Sequence, residues 1–130
     1  MKLRKLTIQF FSFSIIGVGG FIVDAGVYHL LYSCFGEIFS RIFSFSSAVF
    51  FTYTLNNLIT FKNFSNYFWT KFPAYFVSML GGGCVNLLTF FLVNRFFSLD
   101  PSRAYLSIAL GSLAGLFFNF FASLFVFSKK

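Results

Sequence analysis

Acidic residues are almost missing from this chain: Asp24, Glu37 and Asp100 are the three among 130 residues. Charged residues of either sign make up 10% of it, while 58% are hydrophobic and 25% aromatic. Soluble domains carry about a quarter charged residues, so this composition excludes an ordinary soluble domain and reads as an integral membrane protein. Catalytic equipment is equally scarce. There is no glycine-rich phosphate loop, no serine or cysteine in a nucleophile setting, no carboxylate pair and no cluster with metal-ligand spacing. The chain is therefore read as no enzyme, with neither metal nor cofactor. An ATP-binding module is also lacking, so any transport must draw on a coupled ion or on the gradient of its substrate. Cys34 and Cys84 lie in or beside apolar stretches and read as packing residues. His29 stands one turn plus one residue beyond Asp24, hence on another side of a helix, and is given no metal or proton-relay role.

Cations and apolar runs are what the chain does have. Ten Lys and Arg give a net charge of +7, and they cluster between apolar runs rather than along one face. Anionic lipid headgroups fit that pattern better than nucleic acid does. The runs cover residues 8–35, 38–61, 72–97 and 104–127, each longer than the roughly 20 residues that cross about 30 Å of hydrocarbon. A secretory leader has a shorter apolar core and a small-residue cleavage site, so the first run is predicted to stay as a membrane helix. Lys2, Arg4, Lys5, Lys62, Lys71, Lys129 and Lys130 fall on one side of such a four-span chain, and Arg41, Arg95 and Arg103 on the other. The positive-inside rule then puts both termini and the 62–71 segment in the cytoplasm. That segment mixes basic residues with Phe64, Tyr67, Phe68 and Trp69, as a loop at headgroup level does. Its Asn63-Phe64-Ser65 glycosylation triplet would face the cytoplasm and escape modification.

A shift of 62 residues pairs Gly19-Gly20 with Gly81-Gly82, Ser40-Arg41 with Ser102-Arg103, Asn57 with Asn119, and Asp24 with Asn86. This suggests one domain, 1–130, built from internal repeats of about 8–61 and 70–127. Each repeat holds two spans, so both enter the membrane from the same side. The expected fold is all-α: four transmembrane helices as two parallel tandem hairpins.

Polar residues inside the spans follow a four-residue period. Span two carries Ser44, Ala48, Thr52, Asn56 and Thr60; span three carries Ser78, Gly82 and Asn86; span four carries Ser107, Gly111, Gly115, Asn119 and Ser123. In span one, Gly17, Gly20 and Asp24 share one side, where small residues let another backbone come close. A carboxylate at the bilayer centre costs about 2.5–3.5 kcal/mol, so Asp24 is expected to face protein, water or a polar ligand. Close-packed seams explain the glycines and serines. Asp24, Asn56, Asn57, Asn86 and Asn119 are the candidates for a polar interior. The cations read as topology determinants, and alternatively as phosphate receivers: Lys62 and Lys71 at the cytoplasmic interface, Arg41 and Arg103 at the other. Arg95 and Asp100 are a candidate pair.

The pattern Phe10-Phe11-(x)5-Gly17-(x)6-Asp24, together with Asn56-Asn57-Leu58-Ile59-Thr60-Phe61 ending span two, resembles the GtrA-like family over essentially the whole chain. The chain departs from the family pattern at Thr52, where another Asn is usual, and at Asn57 and Leu58, where basic residues are usual. The arginine typical of early span three has no counterpart here. The resemblance implies a role in cell-surface polysaccharide or teichoic-acid glycosylation. Its usual form there is a flippase moving an undecaprenyl-phosphate-linked monosaccharide across the cytoplasmic membrane. Asp24, Asn56, Asn57, Asn86, Asn119 and Phe61 would then meet the sugar, and Lys62, Lys71, Arg41 and Arg103 the phosphate. The implied partners are the polyprenyl-phosphate-sugar lipid, membrane lipids, a glycosyltransferase and further copies of the chain. A non-transporting anchor for a glycosyltransferase is the alternative. A small proton-coupled drug exporter fits less well, because it needs no basic layers.

Overall fold

Hydrocarbon offers no water to backbone N–H and C=O groups, so an apolar run satisfies them within its own helix. The computed structural model describes residues 2–62, 68–97 and 104–128, and of Arg41, Ala104 and Tyr105 the backbone alone. Helix α1 covers Lys2–Leu55 and passes directly into a π-helical turn, Asn56–Thr60; α2 covers Phe68–Phe97 and α3 Ala104–Ser128. No strand occurs among the described residues. Helix α1 is two helices joined at Gly36, where φ is 75° and ψ −180°. That conformation is open to glycine and strained for other residues, so the chain reverses there with no loop.

Four stretches are long and apolar enough to cross a membrane: Lys2–Ser40, Ile42–Thr60, Phe68–Phe97 and Leu106–Ser128, here spans one to four. The chain is thus an all-α multi-pass membrane protein, as its composition implies. Several boundaries differ from the sequence expectation: span one ends at Ser40 rather than near Phe35 and span two begins at Ile42 rather than Ile38. Span one begins at Lys2, and the stretch from there to Phe35 is about 51 Å long, more than the hydrocarbon is thick. Span three begins at Phe68, so Phe68 to Lys71 are helical rather than part of a loop. The glycosylation triplet lies outside the described residues, as do Asp100, Arg103, Lys129, Lys130 and the Arg41 side chain.

The chain divides into two compact units, residues 1–68 and 69–130, each holding two spans. Phe13, Ile16, Val49 and Tyr53 form the buried apolar core of unit 1, and the ring of Phe13 meets that of Phe61 edge-on at 6.4 Å. Tyr53 is wholly covered; its hydroxyl donates to the Phe68 carbonyl and its ring lies 4.7 Å from the Phe68 ring. In unit 2 the buried core is Tyr75, Phe120 and Phe127, with Tyr75 and Phe127 rings 5.9 Å apart. Most other large apolar side chains point outward, toward lipid, where they match their solvent. Cys34 and Cys84 are among the outward-facing residues, which corrects the packing role expected for them.

Small residues set how the spans meet. A methyl group on Gly19 would touch the Phe51 ring at 3.1 Å, and one on Gly20 would strike Thr52 Cγ2 at 2.4 Å. In unit 2 a methyl on Gly81 would strike the Phe118 ring at 2.8 Å, and one on Gly82 would overlap the Asn119 amide at 1.9 Å. The glycine pairs are 62 residues apart, but their partners Phe51-Thr52 and Phe118-Asn119 are 67 apart. The gapless register therefore describes the first span of each unit only. In the second spans the facing residues slip by five: Asn119 takes the place of Thr52 rather than Asn57, and Ser123 that of Asn56. Packing follows the four-residue spacing of small side chains, which identities in a Phe-rich sequence do not track. Gly17, expected beside Gly20 in the seam, has nothing within 4 Å of such a methyl group.

Candidate functional site

The polar residues of unit 1 gather where its second span ends. In the turn Asn56–Thr60 the Phe61 N–H donates to the Asn56 carbonyl at 2.8 Å, five residues back, which widens the helix by one residue. Turns of this kind are rare and occur frequently at functional sites. Asn56 and Asn57 are 1% exposed and Thr60 6%. Across from them, span one supplies Gln9 and Ser12. The Thr60 hydroxyl donates to Asn56 Oδ1 at 2.8 Å, so its oxygen accepts from Ser12 Oγ at 3.0 Å; Gln9 Nε2 donates to the Thr60 carbonyl at 3.3 Å. The chain of donors thus runs from Ser12 through Thr60 into Asn56, and it carries no net charge. Asn57 is different. Its Oδ1 is buried and has no hydrogen-bond partner among the described residues.

Two residues beyond Thr60, Lys62 is exposed and has φ 49°, in the left-handed region. Its ammonium therefore lies outside the neutral cluster but close to it in sequence. Phe61 is half-buried between the two, against Phe13.

Asp24 belongs to another layer. It is half-buried with Oδ1 covered, one turn beyond Gly20, whereas Asn57 lies five residues past Thr52, the residue Gly20 meets. The spans run antiparallel, so the carboxyl group and Asn57 are separated by about 13 Å along the helix axes. Unit 1 holds two polar layers, not a single cluster. Beyond Asp24, Tyr28 is half-buried with its ring 5.5 Å from that of Tyr32.

In unit 2 the asparagines fill gaps. Asn119 lays its amide over Gly82, while Asn86 lies against Gly111, whose added methyl would strike the Asn86 carbonyl oxygen and Oδ1 at 2.6 Å. Gly115 sits between them, 2.9 Å by the same measure from the Gly82 carbonyl oxygen and 3.1 Å from Asn86 Cβ. Each amide thus replaces the side chain its facing glycine lacks. Lower in the same seam Ser107, fully buried, donates to Asn94 Oδ1 at 2.5 Å. Lys71 is half-buried in unit 2; Arg41's side chain and Arg103 lie outside the described residues. No group of three His, Cys, Asp or Glu residues able to hold a metal occurs among the described residues.

A family model, the GtrA/DPMS transmembrane domain, matches residues 12–127. The chain belongs to this family. No curated protein and no solved structure gives a significant match. Membership places this GtrA/DPMS domain among the membrane proteins of glycosylation and polyprenyl-linked-sugar pathways. The matched segment takes in Ser12, Asp24, Asn56, Asn57 and Thr60 of unit 1 and Asn86, Asn94 and Asn119 of unit 2.

Gln9 and Ser12 are the site residues that sequence reasoning missed. For Ser12 a signal was present: Ser12, Ile16, Gly20 and Asp24 are spaced by four, so the inward side of span one continues two turns before Gly20, and Gln9 lies three residues earlier on that side. A buried Thr60 at the end of the facing row demanded a partner there.

Proposed function

We propose that this GtrA/DPMS domain is a flippase that carries an undecaprenyl-phosphate-linked monosaccharide across the cytoplasmic membrane for cell-surface polysaccharide or teichoic-acid glycosylation, without catalysing any reaction itself. A bare hydroxyl moved into hydrocarbon costs several kcal/mol, and a sugar carries several of them; the polyprenyl chain, by contrast, is at home in lipid. A carrier need only replace the water around the headgroup. Asn56, Asn57 and Phe61 do this at the end of unit 1, Asp24 in its second layer, and Asn86 and Asn119 along unit 2. Lys62 and Lys71 draw the phosphate to the cytoplasmic face, where both termini also lie, and Arg41 and Arg103 receive it on the other. The observation that carries this reading is the neutral buried cluster with Lys62 directly outside it.

Purified protein in vesicles, given a fluorescent polyprenyl-phosphate-hexose, tests it. The expected result is protein-dependent exchange between leaflets that falls at least tenfold in Asp24→Asn and in Asn56→Ala, with membrane insertion intact. Parental rates in both variants would overturn the assigned route. One observation favours a second reading: Asn86 and Asn119 of unit 2 pack against glycines, which is what a scaffold for a polyprenyl-phosphate glycosyltransferase requires. That reading expects co-purification with the enzyme and no exchange in its absence. The same purification reports whether copies of the chain associate.

A further inference from the structure

Of the buried side-chain oxygens in the cluster at the end of unit 1, all but one have a hydrogen-bond partner. Ser12 supplies Thr60, Thr60 supplies Asn56, and Gln9 supplies the Thr60 carbonyl. The exception is Asn57 Oδ1, on a residue 1% exposed and in the same π-helical turn. A buried acceptor left without a donor costs about 1–3 kcal/mol, and a carbonyl-type oxygen can be satisfied only by an O–H or N–H group. Phosphate oxygens are acceptors themselves and do not serve. The described cation nearest in sequence is Lys62, which is exposed beyond the turn.

We propose that Asn57 is the headgroup-reading residue of this protein: its Oδ1 takes a hydroxyl or amine hydrogen from the glycosyl part of the lipid, while the phosphate stays outside at Lys62. This rests on the flippase reading for the class of lipid and adds which end enters the protein and what reads it. Phe61 is half-buried at this end, its ring 6.4 Å from that of Phe13. A further consequence separates recognition from architecture. Because Oδ1 has no hydrogen-bond partner among the described residues, replacing Asn57 by an apolar residue of similar size breaks no bond at that oxygen and removes an unsatisfied acceptor.

Equilibrium binding to purified protein in nanodiscs decides this, with two probes, polyprenyl phosphate and polyprenyl-phosphate-glucose. The parental protein is expected to prefer the glucosyl lipid. Asn57→Leu is expected to abolish that preference, a loss of about three- to tenfold, while keeping its affinity for polyprenyl phosphate and its unfolding midpoint. Lys62→Ala is expected to weaken both probes alike. The proposal is overturned if the parental protein shows no glucosyl preference, if Asn57→Leu retains it, or if that variant weakens both probes equally. Binding with the expected pattern but no leaflet exchange overturns the flippase reading alone. Exchange with the preference intact in Asn57→Leu overturns this proposal alone.

Discussion

The two units solve one packing problem with different chemistry. In both, a Gly-Gly pair on the first span lets the second span approach, and an aromatic residue followed by a polar one fills the space: Phe51-Thr52 in unit 1, Phe118-Asn119 in unit 2. Toward the end where the first spans begin they part company. Unit 1 places Ser12, Asn56 and Thr60 in a hydrogen-bonded chain. By the registers of the seams, unit 2 has Ala74, Ser123 and Phe127 in those places, and closes with the Tyr75–Phe127 ring contact. Conversely Ser44 and Ala48 of unit 1 give way to Gly111 and Gly115. Unit 2 thus carries glycines where unit 1 has Ser44 and Ala48, and unit 1 carries the hydrogen-bonded polar end. The lesson is that one helix-pair design can end either in close apolar contact or in a buried polar cluster through four or five residues of the seam.

The sharpest test is to add one methyl group inside the seam of unit 2 and one on unit 1 outside its seam. In Gly111→Ala the new carbon meets the Asn86 carbonyl oxygen at 2.6 Å, backbone that cannot rotate away, so about 3 kcal/mol of stability should be lost in an unfolding titration in mixed micelles. In Gly17→Ala, with open space around the site, the change should stay within about 0.5 kcal/mol. Equal effects would mean that Gly111 is not held against the Asn86 backbone.

Next in size is the exchange between Asn119 and Gly82. Gly82→Ala drives a methyl group into the Asn119 amide, and Asn119→Ala leaves a gap above Gly82; each should cost about 1–2 kcal/mol. Together they should cost less than their sum by about 1 kcal/mol, because the methyl group occupies the space the amide vacated. A double-mutant cycle of unfolding midpoints measures this directly. Additive effects would show that the amide holds its place through something other than the glycine gap.

Hydropathy and the four-residue rows made the spans and the inward faces of their seams legible in the sequence. Ser44, Asn56, Thr60, Gly82, Gly111, Gly115 and Ser123 are all buried, as that spacing requires. The depth of each contact was not legible, since a residue's height along a seam depends on how its partner span enters, and Gly36 reverses the chain without a loop. That is why Asn57 was matched with Asn119, five residues from the position the packing gives it. Nor does spacing reveal a π-helical turn, because Asn56, Asn57 and Thr60 share a face in an ordinary helix as well. The outward exposure of Cys34 and Cys84 has a similar cause: in an apolar span, hydrophobicity no longer separates inside from outside.

The smallest effects test whether the polar end of unit 1 is held by the bonds described or only by its composition. Ser12 and Ser14 are two residues apart on the same span, both half-buried, with opposite partners. Ser12 bonds across to Thr60 on the other helix, whereas Ser14 donates to the Phe10 carbonyl of its own helix at 2.8 Å. Ser12→Ala should therefore cost about 0.5–1.5 kcal/mol, within the range measured for hydrogen bonds between membrane helices. Ser14→Ala removes a bond that the unfolded span, still helical in lipid, also makes, so its effect should be below about 0.3 kcal/mol. The pair is matched in residue type and burial, and only the direction of the bond differs. If both serines proved equally dispensable, the Ser12–Thr60–Asn56 chain would not be what fixes the π-helical turn, and Asn57 would lose the framework that presents its oxygen.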